Sequence, residues 1–177
     1  MAQETKFVGI KYFNSIIIWT LEEYKVGDND LMAIHDFLFK PGLWVGEGKV
    51  TFSVSPESLR FYTKWTIDNG ENNLMLCRQH VEMEGGESNV YNNFTISNVQ
   101  PTSFSIQLSN ELLGVVQGKG LIDAKTIAWE FRSHSEFEGF EVYELQANGD
   151  YNLHAEYASQ DQLRTIIEGR IWKKTLN

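Results

Sequence analysis

Between residues 43 and 173, turn signals recur so often that no interval between apolar runs has room for a helical crossover. Parallel neighbours need a connection of a dozen or more residues, so the strands of this stretch have to run antiparallel. Asp68-Asn69-Gly70 separates 59–67 from 74–83, Gly85-Gly86 precedes 89–99, and Gln100-Pro101-Thr102 precedes 103–109. Further alternating segments follow at 113–122, 126–134, 139–146, 151–157 and 163–173, with Asn148-Gly149 a type I′ turn signal. With 43–54 these make about ten strands, the spacing of an up-and-down barrel.

The fold class expected is therefore mainly β: one antiparallel up-and-down barrel over 42–173, preceded by an extension over 1–41, in a single domain. A chain of 177 residues with 42% hydrophobic and 13% aromatic content can bury a sizeable core. In the extension, 7–24 matches a strand and the apolar stripe of a helix about equally. Asp28 or Asn29 can cap a short helix over 30–39, stopped by Lys40-Pro41-Gly42, whose face of Leu31, Ile34, Phe37 and Leu38 would cover a barrel end.

Composition excludes several classes. A net charge of -9 argues against nucleic acid, whose binding draws on clustered Lys and Arg. Cys77 is the lone cysteine, so neither an intrachain disulfide nor a thiolate metal cage can form, and a reducing, cytoplasmic setting is expected. The start of the chain has no basic n-region and no apolar run long enough to span a membrane. Gly46-Glu47-Gly48 and Gly118-Lys119-Gly120 are too short for phosphate loops, and no nucleophile elbow, zinc-protease helix or Walker segment is present.

The first barrel strand carries Gly42-Leu43-Trp44-Val45-Gly46-Glu47-Gly48, and the last carries Glu168-Gly169-Arg170-Ile171-Trp172. A Gly-x-Trp opening a run of antiparallel strands, with an arginine in the last, resembles the calycin superfamily of lipocalins, fatty-acid-binding proteins and nitrobindin-like haem barrels. The resemblance implies that Trp44 plugs one barrel end with Arg170 lying across it, a structural closure. It also implies two ligand devices that this chain departs from. The Arg-x-Tyr carboxylate clamp of fatty-acid-binding proteins becomes Arg170-Ile171-Trp172, without the tyrosine, and the axial histidine of nitrobindins is missing from 163–173. No cofactor is expected on these grounds, with a haem-binding protein of the nitrobindin type, using His154 or His80, kept as a lesser alternative. No two histidines have zinc-ligand spacing, so no metal is expected either.

Hairpin registers assign the faces. A symmetric Asn69-Gly70 turn puts Phe61, Thr63 and Trp65 with Met75, Cys77 and Gln79 inside, and Arg60, Tyr62, Lys64, Leu76, Arg78 and His80 outside. A two-residue Asn148-Gly149 turn puts Phe140, Val142 and Glu144 with Leu153, Ala155 and Tyr157, leaving Glu141 outward and facing Glu156. The turn at Asp123-Ala124-Lys125 sets Trp129 beside Gly120 and Phe131 beside Gly118, where a bare glycine accommodates a ring.

The function these readings favour is binding of a small apolar or amphipathic molecule inside the barrel. Its wall is expected to comprise Phe61, Trp65, Met75, Phe94, Phe104, Ile106, Trp129, Phe131, Val142, Leu153 and Tyr157. The same residues would equally make a filled core that binds nothing. Two other classes stay open. A protein-interaction module, including a homodimer, would use the aromatic segment 7–19. A barrel isomerase or lyase would reveal itself by a carboxylate with a raised pKa beside tyrosine in the cavity. The sequence assigns no catalytic residue.

Overall fold

A computed structural model describes residues 7–13, 16–22, 34–85, 89–134, 137–159 and 163–175. Strands β1 (Phe7–Phe13) and β2 (Ile16–Glu22) pair as a separate two-stranded antiparallel sheet, which resolves the helix-or-strand ambiguity of that segment. Ten strands then follow in chain order: β3 (Gly42–Phe52), β4 (Ser55–Asn69), β5 (Met75–Met83), β6 (Asn89–Gln100) and β7 (Ser103–Asn110). The others are β8 (Gly114–Ile122), β9 (Thr126–His134), β10 (Phe137–Leu145), β11 (Tyr151–Ser159) and β12 (Arg164–Lys173). Each pairs with its sequence neighbours, and β12 returns to pair with β3, closing an up-and-down barrel.

Closure depends on Gly48. It pairs with Gly169 across the β3–β12 seam, and a Cβ there would stand 2.2 Å from the Glu168 carbonyl oxygen and 2.6 Å from the Phe61 ring. A side chain at Gly48 would therefore collide with the neighbouring strand, and its absence lets the two backbones come together.

The N-terminal helix expected over 30–39 is not supported. Residues 30–33 lie outside the described residues, and the chain turns at 37–39, where Leu38 takes a left-handed φ of 67°. Such a backbone costs about 1–3 kcal/mol in a non-glycine residue. Burial offsets it: Phe37 and Leu38 are both fully buried, at about 1.5–3 kcal/mol each. The expected cover over a barrel end is thus made by a turn. Phe37 meets Trp44, Trp65, Tyr143 and Tyr151 with ring centroids 4.9–5.7 Å apart.

His35 anchors this plug. It is buried, with Nε2 donating to the Asp123 carbonyl oxygen at 2.7 Å and Nδ1 accepting from the Tyr151 hydroxyl at 3.0 Å, the arrangement of a neutral ring. On the exposed side, Asp36 holds Lys40 at 2.6 Å and Lys173 at 2.9 Å. Arg170, expected to lie across Trp44, does not. It is an even-numbered residue of β12 and so points outward, where it lies 4.9 Å over the Trp172 ring and pairs with Glu47 at 3.3 Å.

Desolvation depresses the His35 pKa below its ordinary 6.5, outweighing the Asp123 carbonyl that pulls the other way. The unfolded chain therefore takes up a proton that the folded chain refuses. Stability from this group is complete above pH 6.5 and is lost as pH falls below it. Denaturant unfolding between pH 8 and pH 5 should show wild type losing stability in that window, and His35→Gln, less stable throughout, lacking that component of the slope.

Candidate functional site

Side chains alternate along each strand, so the registers decide what the barrel contains. In the half nearest the plug the interior is solid. Trp44, Trp65, Ile67, Ile96 and Trp129 are all buried there, with Trp65 stacked on Phe94 at 5.1 Å and Trp129 on Tyr143 at 4.9 Å. Toward the opposite end the side chains thin out and leave a cavity of about 310 Å³. Its apolar wall includes Val50, Phe61, Val81, Phe94, Leu108 and Leu153. The volume lies at the lower end of small-molecule pockets, about 300–1,000 Å³.

Of the residues expected to line a cavity, Phe61, Phe94, Leu153 and Tyr157 do so. Trp65, Met75, Phe104, Ile106 and Trp129 point inward but belong to the packed core. Phe131 likewise packs inward, its ring lying where a Cβ on Gly118 would be. Gly120 pairs with Trp129 as anticipated, although the ring filling the space over it is that of Phe104.

Val142 faces the other way. The β10–β11 hairpin pairs Leu145 with Tyr151 and Val142 with His154, one residue out of the register that a two-residue turn would impose. The loop is three residues long: Gln146 N–H donates to the Asp150 carbonyl at 2.8 Å, and Gly149 takes φ 88°. A slip of one flips every side chain of β10. Val142 and Phe140 accordingly pack with Ala128 on the outer wall, Glu144 is exposed, and Glu141 turns inward opposite Ala155 instead of facing Glu156.

Glu141 is the chemical centre of the cavity. Its Oε2 accepts from the Tyr143 hydroxyl at 2.7 Å and its Oε1 from the Tyr157 hydroxyl. Burial raises its pKa, and the two hydroxyls oppose that rise without cancelling it. The Trp129 indole nitrogen, buried without a hydrogen bond, adds a weaker pull toward the charged form. Both tyrosines are pushed up by burial and by the neighbouring carboxylate, and stay neutral donors.

A second polar strip lies across from it. The Asn110 side-chain amide donates to Asn92 at 2.8 Å, and Asn92 donates to Gln79 at 2.7 Å, all three lining the cavity. In a ring of ten strands β5 and β10 are five apart in either direction, so Gln79 and Glu141 stand on opposite walls. Alternation along β5 and β6 places Gln79 and Asn92 inside among apolar neighbours, and this was the available sign of that strip. Among the described residues, no group of three or more His, Cys, Asp or Glu is arranged to hold a metal ion.

No protein-family model matches the sequence, and no curated protein matches it closely enough to count as a relative. The barrel is similar to the structure of the S-type phycobiliprotein lyase CPES from Guillardia theta, with a TM-score of 0.61 over 77% of this chain and 89% of that chain. At 6% sequence identity the likeness is one of fold.

Two outcomes follow from this geometry. Trp129→Ala removes a ring from the solid half, and should lower stability by about 3–5 kcal/mol, read as a fall in the urea midpoint. For Glu141 the folded-state pKa lies above its ordinary 4.5, so stability from this group is present at low pH and is lost as pH rises through the folded value. Glu141→Gln, which cannot ionise, should therefore gain on wild type in denaturant unfolding as pH rises from about 4 to 8.

Proposed function

We propose that this chain is a lipocalin-like barrel of the calycin type that binds a small amphipathic molecule in its interior. The cavity carries this reading: an apolar chamber of about 310 Å³, plugged behind by Phe37 and Trp44, with polar groups on two facing walls. Burial of ligand surface at about 25 cal/mol per Å² would supply affinity, and the Gln79–Asn92–Asn110 strip and Glu141 would orient the polar end. The buried Cys77, its thiol pushed up to about 12 by desolvation, is suited to a packing role in a reducing compartment.

The raised pKa of Glu141 beside Tyr157 favours a second reading, proton transfer on a bound substrate. The likeness in fold to a lyase is compatible with it. Binding comes first in either case.

Native mass spectrometry of protein purified without added ligand, followed by calorimetric titration with octanol, tests the binding. A co-purifying mass, or saturable octanol uptake at one site, is expected. Val81→Phe, which fills the chamber, should weaken octanol by about tenfold or more while leaving the unfolding midpoint close to that of wild type. Octanol binding that is unchanged in Val81→Phe would place the ligand elsewhere and overturn the assignment.

A further inference from the structure

The cavity is asymmetric in charge. Its wall holds Glu141 but, among the described residues, no lysine, arginine or histidine. The groups on Glu141 are two tyrosine hydroxyls and, more weakly, the Trp129 indole N–H, all neutral, so the negative charge is left uncompensated. A carboxylate has room for about four hydrogen bonds, and the hydroxyls take two. Facing it across the chamber are neutral amides. A buried unpaired charge is costly, and the cost is relieved by a cation or by a proton.

We infer that Glu141 is the headgroup site of the cavity and selects a protonated amine carrying a small apolar body, in preference to a carboxylate. The inference rests on the cavity-binding reading given above and names the ligand class within it. An ammonium group beside Glu141 would pair with the carboxylate, and the alkyl or aryl body would lie against Phe61, Phe94 and Leu153. The amine also relieves the desolvation that raises the Glu141 pKa, whereas a ligand carboxylate would meet a like charge with no arginine to hold it. The overall charge of -9 favours the approach of a cation and opposes that of an anion.

Three probes with one chain length separate the terms: octylamine, octanol and octanoate, titrated calorimetrically at neutral pH into wild type and Glu141→Gln. The expected result is octylamine binding about tenfold or more tighter than octanoate in wild type, with the two drawn together in Glu141→Gln. Octanoate binding as well as octylamine to wild type, or an amine preference that survives in Glu141→Gln, would overturn the inference while leaving the cavity reading in place. Binding of none of the three would overturn the cavity reading, and this inference with it. The wild-type comparison needs no variant, so it stands even if Glu141→Gln fails to fold.

Discussion

The seam between β12 and β3 is the constraint on which the rest of this structure depends. A ten-strand sheet that stayed open would leave two edges exposed and its inner face in water; closing it turns that face into a core. Closure asks two backbones to meet more tightly than side chains allow, and Gly48 against Gly169 meets that demand. Trp44 lies four residues before Gly48 on the same strand face, so the strand that closes the ring also delivers the ring system that floors it.

Once closed, the barrel is filled unevenly. Near the plug, tryptophan, phenylalanine and tyrosine side chains reach across the interior and touch, Phe37 entering from the turn to meet four of them. Toward the other end the inward positions are held by smaller or polar side chains such as Val81, Val90, Asn92 and Asn110, which do not fill the space. The choice between a filled core and a hollow one, which composition leaves open, is answered by position along the barrel axis. The solid half supplies stability, and the hollow half holds the one buried carboxylate among the described residues, with a tyrosine hydroxyl on each oxygen.

The barrel was legible because antiparallel strands leave their marks locally. Apolar alternation and turn residues identified each of β3 to β12 to within a few residues, and the inward faces of β8 and β9 followed from their turn. Those of β4 and β5 came out as expected although the connection is not a turn at Asn69-Gly70 but a loop over 71–73, with Gly70 bonded to Leu74 and Asn69 opposite Met75. The face of β10 did not. Asn148-Gly149 is compatible with a two-residue turn and with a three-residue loop that has Gly149 in the left-handed region, and the two differ by one residue of register. That single residue exchanges Val142 for Glu141 at the interior. The apolar pattern offered no correction, since Phe140 and Val142 find burial on the outer wall beside Ala128. The Arg170 closure failed for a similar reason of parity: Trp44 points in, Arg170 points out, and Trp172 is the ring within its reach.

The sequence by itself determined the antiparallel class and the number and order of the barrel strands, because these follow from local spacing and turn chemistry. The tertiary structure alone decided which half of the barrel is hollow, how Phe37 and His35 plug the other, and that Glu141 lies inside with Tyr143 and Tyr157. Those outcomes depend on register and on contacts between residues far apart in the chain, where a displacement of one position inverts a face and no local pattern records it.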